Sequence, residues 1–239
     1  MRALVAALLL VAAPAFAQPA AAQNPLRDAV AQGATSIAWK IRTEGVYICC
    51  CNDRNVTMNY GDSRIEYEDI ILNASISDRE ITKLRMVEPS CPLTNTRFIE
   101  NVSADASLDF LLANIENNDR LVHAIATHEH PRVVPELSKL ARHHERTKVR
   151  REAIFWLGQR AGDKAAGELR RAVDEDPEDA VREHAVFAIS QLPRDKSVPL
   201  LIDLVKHKRA AVRKKAIFWL AQTGDPRALE AIEEILGVR

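Results

Sequence analysis

The apolar positions of this chain repeat at a fixed interval. Val149, Ala153, Ile154, Phe155 and Leu157 return as Val181, Ala185, Val186, Phe187 and Ile189, then as Val212, Ala216, Ile217, Phe218 and Leu220. The shifts are 32 and then 31 residues, and Arg150, Arg182 and Arg213 keep the same register, as do Gln159, Gln191 and Gln222. A second apolar stripe follows each of these: Leu169, Ala172 and Val173, then Leu201, Leu204 and Val205, then Ile232, Ile235 and Leu236. Both stripes have the i, i+3, i+4 spacing of one helix face. A Gly, Pro or Asp turn divides them, so each copy is one helical hairpin. A single hairpin cannot bury both stripes, and a fixed period of this size is the mark of stacked units. The pattern therefore predicts an α-solenoid.

Upstream, the pattern degrades but continues. Val134-Pro135 matches Val198-Pro199 two repeats on, which places a first hairpin over about 119–148 and its second-helix stripe at Leu137, Leu140 and Ala141. Ser103 is an expected N-cap for a helix over 104–116, placed to close the first end of the array. Before it the texture changes. Ser36 to Arg42 alternates as a half-buried strand does, and Gly45 to Cys51, Ile70 to Ser77 and Glu80 to Val87 are further β-leaning runs. Ser77-Asp78-Arg79 reads as a hairpin turn between the last two, 52–69 as loop, and 26–33 as a short helix stopped by Gly33. The fold class is thus mostly α, about four helical hairpins over 103–239, preceded by a small, mostly antiparallel β domain over 35–100.

Composition narrows the role. The chain has 239 residues, 28% of them charged, with formal net charge +0; a dedicated polyanion binder is strongly basic, so this balance argues against nucleic acid. Lys206, Lys208, Arg209, Arg213, Lys214 and Lys215 form a basic cluster without interleaved aromatics, which reads as a solvated turn face. Residues 1–17 have the form of a secretory signal: Arg2, an apolar run from Ala3 to Ala13, and Ala15-Phe16-Ala17 as the cleavage site. Cleavage after Ala17 and a loose leader over 18–34 predict a periplasmic or secreted protein with no integral membrane segment left. No later stretch approaches the roughly 18 apolar residues of a span.

The cysteines fit that compartment. Cys49, Cys50, Cys51 and Cys91 all lie in the β region, and an even number in a secreted chain points to disulfides. On a strand Cys49 and Cys51 share one side and Cys50 takes the other. Cys91 is expected to bond Cys49 or Cys51. No Cys-x-x-Cys occurs, so zinc spacing fails. His123, His128, His130, His143 and His144 crowd the first hairpin, but the turn pair and the helix-end pair lie roughly 20 Å apart along a helix. They are read as exposed turn and helix-end residues, with no metal, no cofactor and no catalytic residue assigned.

The Val-Arg-x-x-Ala-(Ile/Val)-Phe-x-(Leu/Ile) wording, followed by a second helix such as Ser197 to Val205, resembles the short HEAT-like repeat of the phycobilin-lyase type, and in particular secreted bacterial HEAT-repeat proteins. The likeness is strong over 149–236. Deoxyhypusine hydroxylase has similar repeats, with His-Glu iron ligands just after the Val-Arg. Here those slots hold Arg151-Glu152, Glu183-His184 and Lys214-Lys215, so that activity does not carry over. The resemblance implies a protein-binding scaffold. The alternative is an enzyme or chaperone-like factor that uses the cysteine strand or a repeat cleft.

Such solenoids dock partners on the concave side lined by second helices. Opposite the buried stripe that face holds Lys139, Arg171, Asp203 and Glu234, with Arg142, Asp174 and Lys206 beside them. This ladder runs from positive to negative and would orient another protein. The aromatic ladder of Phe155, Phe187 and Phe218, with Trp156 and Trp219, is expected to interlock as core between hairpins. The repeated Arg is expected to bind carboxylates or carbonyls of a neighbouring turn, as it does in the family.

Overall fold

A computed structural model describes residues 24–47, 66–160 and 165–237 of the chain. Helix α1, Pro25–Ala31, starts on an Asn24 cap whose side chain accepts from the N–H groups of Leu26 and Arg27, and Gly33 leaves it at φ 86°. Strands β1 (Ser36–Tyr47), β2 (Glu66–Ser77), β3 (Glu80–Val87) and β4 (Arg97–Phe98) follow. They form one sheet in the order β3-β2-β1-β4. β1 with β2 and β2 with β3 are antiparallel. β4 joins β1 in parallel over two residues, so the sheet is mixed but mostly antiparallel, as the sequence predicted. Asp78 and Arg79 both have positive φ. That conformation is the mirror-image turn whose twist suits a two-residue hairpin.

The alternation read in β1 sets which side is covered. Ile37, Trp39 and Ile41 face the helices with Ile70, Leu72 and Ala74 of β2. Ala38, Ile71, Val87 and Cys91 form a small cluster on the other side. Cys49 and Cys51 lie outside the described residues.

Helix α2, Ala104–Ala113, starts on Ser103, whose hydroxyl accepts from the N–H of Ala106. A 3-10 turn, Ile115–Asn117, ends this segment. Four hairpins follow: α3 (Leu121–Thr127) with α4 (Val133–His143), α5 (Thr147–Arg160) with α6 (Ala165–Glu175), α7 (Asp179–Ser190) with α8 (Arg194–Leu204), and α9 (Ala210–Gln222) with α10 (Pro226–Leu236). First helices stack in sequence, α3 on α5 on α7 on α9. On α4, α6 and α8 most of the second-helix stripe is buried as its spacing predicted, with Leu137, Leu169, Val173, Leu201 and Leu204 no more than 1% exposed, whereas Ala172 of α6 and Ile232 of α10 are half-buried.

The helix over 104–113 does more than close an end. Leu108, Phe110 and Leu111 are buried, the Phe110 ring meets Trp39 of β1 edge-on at 5.8 Å, and α2 also packs on α3. It is the layer between sheet and array, and a single apolar core runs from Leu26 to Ala228.

Each repeated arginine closes the turn that precedes its helix. Arg150 donates to the carbonyls of His144 and Glu145 at 2.9 and 2.8 Å, and Arg213 to those of His207 and Lys208 at 2.8 and 3.0 Å. Arg182 donates to the Asp176 carbonyl and pairs with Asp179. Turn carbonyls at a helix start have no helical donor, so a buried guanidinium supplies several at once.

Candidate functional site

The histidines fill structural positions. His128 is fully buried, which corrects the expectation of an exposed turn residue. Trp39 Nε1 donates to Ser107 Oγ at 2.7 Å, and Ser107 Oγ lies 2.8 Å from His128 Nε2. His128 Nδ1 lies 2.7 Å from the Ala124 carbonyl, which can only accept. Nδ1 therefore carries the proton, Nε2 accepts from Ser107, and the ring is neutral. Burial first of all, with the nearby charges of His130 and Arg160, holds its pKa down at about 4. The Ser–His contact has the geometry of a nucleophile and base, but Ser107 is 1% exposed and its hydroxyl is held between Trp39 and His128. This chain of bonds joins the sheet to the array.

His130, His144 and His207 act as turn acceptors. Their Nδ1 atoms accept from the N–H two residues on, at 3.4, 3.1 and 3.2 Å. Asp176 does the same with a carboxylate oxygen at 2.9 Å, in the repeat position shared with His144 and His207. Among the described residues no group of three His, Cys, Asp or Glu side chains is placed to hold a metal ion.

The second-helix face holds the charges that the sequence singled out, and most of them pair within the array. Arg142 pairs with Glu168, which Arg171 also meets at 3.3 Å. Asp174 takes Arg170 at 2.8 Å and His207 at 3.2 Å. Asp203 pairs with Arg170, and Lys206 with Glu234 at 3.5 Å. Lys139 alone of the seven makes no ion pair among the described residues. Two grooves flank α4. One, of about 390 Å³, lies toward Leu112 and Ile115 and includes Lys139, His143 and His144. The other, of about 330 Å³, lies toward α6 and includes Arg142, Glu168 and Arg171.

The first-helix face differs from its sequence reading. The aromatic ladder interlocks from hairpin to hairpin, but at the edge of the core and half-buried rather than inside it, with Trp156 and Trp219 packed against the core. On α5 the buried positions are Val149, Ala153, Ile154 and Leu157, on α7 Val181, Ala185, Val186 and Ile189, and on α9 Val212, Ala216 and Leu220. The small Ala153, Ala185 and Ala216 let neighbouring helices approach closely. Bulky rings two or three positions away are therefore forced to the rim, where they pack on each other. His123 stacks on Trp156 with centroids 4.1 Å apart. Phe155 lies parallel to Phe187 at 6.2 Å, and Phe187 meets Trp219 at 5.1 Å. Phe218 is 52% exposed, and the other rings are half-buried.

Three rows cross this face from helix to helix. Arg151, Glu183 and Lys214 form a charged row, Phe155, Phe187 and Phe218 an aromatic row, and Gln159, Gln191 and Gln222 an exposed amide row. Along each helix they stand at i, i+4 and i+8, hence on one side. Burial, with the charge of Arg151 added, holds His184 at a pKa of about 4, and burial alone does the same to His123. Both rings are neutral at ordinary pH. Burial and the charge of Asp119 raise Glu152, against the opposing pull of Arg151 and Trp156.

The family model for HEAT repeats matches residues 104–190 and 168–238. The chain is a HEAT-repeat protein. No curated protein matches it. Among solved structures, a crystallised engineered protein is similar at 20% identity, with 58% of this chain and 65% of that chain covered and a TM-score of 0.31. HEAT repeats are scaffolds on which other proteins assemble.

In this HEAT array the sequence-predicted charges lie on the second helices, and all but Lys139 pair there, mostly with Glu168, Arg170 and His207 rather than with one another. The rows on the opposite helices were hidden in plain spacing. Gln at i+4 from each Phe has no packing use, and an exposed amide recurring with the period is the signal that could have marked them.

Proposed function

We propose that this HEAT-repeat chain is a non-enzymatic protein-interaction scaffold of a bacterium, secreted to the periplasm or beyond behind residues 1–17, and that its partner docks on the first-helix face. The observation that carries the reading is a half-buried aromatic row at the repeat period, ending in the exposed Phe218, with an exposed amide row beside it. Aromatic residues flanked by adaptable polar groups are what interfaces are enriched in. The test is a photo-crosslinker at Phe218 in the full chain expressed in its native envelope. It is expected to capture the protein retained by the wild-type chain in a pull-down, and Phe218→Ser is expected to release that protein with unchanged melting.

A second reading rests on the two grooves beside α4 and the unpaired Lys139. It places docking on Lys139, Arg142, Arg171, Asp174, Asp203, Lys206 and Glu234. Double reversal, Lys139→Glu with Arg171→Glu, separates the two. Rim charges act mainly on association rate, so slower association at low salt with unchanged Phe218 crosslinking would move docking to the second helices.

A further inference from the structure

We propose that the end of the array formed by α9 and α10 pairs with the same end of a second copy of this chain, across a two-fold axis parallel to the helices. The proposal goes beyond the docking face assigned above and shares only Phe218 with it.

A solenoid stays soluble when its terminal unit presents a polar outer side. The first end of this array is covered, since α2 packs on α3 and on β1 of the sheet. Among the described residues no hairpin follows α10, and the outer side of α9 and α10 keeps the residue types of an inner unit. Ile154 and Val186 are buried, and Ile217 at the same repeat position is half-buried. Val198 of α8 has no exposure, and Leu229 at its position on α10 is 61% exposed. Phe155 packs on Phe187 of the next hairpin, and Phe187 on Trp219 of the one after. Phe218 holds the same place on α9, with Trp219 of its own helix as a ring neighbour at 4.9 Å. These are the positions that face a following hairpin.

Symmetry and charge choose the occupant. A copy added head to tail would need a bare first end, which α2 covers. Through the far end two copies meet face to face, and a two-fold axis closes that contact. Helix α9 carries Arg213, Lys214 and Lys215 with no acid, and α10 carries Glu230, Glu233 and Glu234 with Arg227. An axis across the helices would set α9 on α9 and α10 on α10, like charge on like. An axis parallel to them sets α9 of each copy antiparallel on α10 of the other, basic on acidic.

Register agrees with that axis. The rotation leaves height along the helices unchanged, so it brings together residues equally far from the turn between α9 and α10. Phe218 stands five residues before Thr223, and Leu229 five residues after Gly224. Lys214 and Glu233 stand nine residues out on the same two helices, each one turn beyond and on the same side. Glu233 also has the repeat position of Arg170, whose guanidinium pairs with Asp203 of the following hairpin. Each Phe218 therefore seats on the second copy's Leu229, and each Lys214 on its Glu233. The end face is roughly 20 Å on a side, smaller than the roughly 800 Å² per partner of a standard interface. A micromolar dimer follows.

The test is sedimentation equilibrium of the purified full chain at low salt. A monomer–dimer equilibrium with a Kd of about 1–100 μM is expected. Phe218→Ser and Leu229→Ser are each expected to weaken it about tenfold or more. Lys214→Glu and Glu233→Lys are each expected to weaken it, and the variant carrying both to restore it. Lys214, Phe218 and Leu229 are exposed, and melting curves confirm that each variant keeps the fold. A chain still monomeric at about 1 mM, a dimer indifferent to Leu229→Ser, or a double charge variant no tighter than the single ones overturns the proposal. If the chain is monomeric while Phe218 captures a different protein in the envelope, the dimer falls and the docking face stands. If it is monomeric and Phe218 captures nothing, both fall.

Discussion

Arg150 on α5 donates two hydrogen bonds, 2.9 and 3.2 Å long, to the carboxylate of Asp176 in the turn of the same hairpin pair's far end. Both side chains are under 10% exposed. This contact ties the turn before α5 to the turn before α7. Removing one partner leaves the other charge buried, which costs about 3–5 kcal/mol. Asp176→Ala is expected to lower stability by that order in urea unfolding, and the double variant Arg150→Met with Asp176→Ala by less. A loss under about 1 kcal/mol for the single variant would show that solvent reaches the guanidinium. At the next step His207 stands where Asp176 stands, so Arg182 turns to Asp179 and His207 to Asp174.

Stability is expected to fall with acid in a defined window. His128 is neutral in the fold at a pKa of about 4, and His123 and His184 behave alike. The unfolded value is about 6.5. Between these values the unfolded chain binds protons that the folded chain refuses. The stabilisation is therefore complete above about pH 6.5 and is lost as pH falls towards 4. For the fully buried His128 it is on the order of 3 kcal/mol. Melting temperature across this range checks it. His128→Gln should flatten the slope, and an unchanged slope would assign it to other groups.

Phe187→Ala in a fully packed core would cost about 3–5 kcal/mol. The half-buried ring of this structure predicts about 1–2 kcal/mol, since only part of its area leaves water. Leu201→Ala, from the buried stripe of α8, should cost about 2–5 kcal/mol. Denaturant unfolding of the two variants side by side tests the assignment of rim and core. Equal losses would return the rings to the core.

Cys91 lies in the small cluster with Ala38, Ile71 and Val87, 9% exposed. The proposed bridge to Cys49 or Cys51 stabilises by about 2–4 kcal/mol if formed. Peptide mapping without reduction is expected to recover Cys91 joined to one of the two. Four free thiols in protein from an oxidising compartment would remove the bridge.

The sequence by itself determined what local spacing controls. The 32- and 31-residue shifts specified helical hairpins, the stripe through Leu137, Leu169 and Leu201 marked the buried side of the second helices, Ser103 marked a helix start, and Ser77 to Arg79 marked a turn. Each rests on residues within one or two turns of each other. The repeated arginines were also legible, because the turn they close lies five or six residues away. Tertiary structure decided the rest. Phe155 and Ile154 differ by one helix position, and which of them is core depends on how closely α7 approaches, which Ala153 and Ala185 set together. His128 is buried because Trp39 and Ser107, from 89 and 21 residues upstream, converge on it; no period encodes that meeting. β4 contributes two residues beside β1, too few for any alternation to show. Periodicity reports the faces of a helix, and only the neighbours that arrive from elsewhere in the chain fix which face is covered and which is left for a partner.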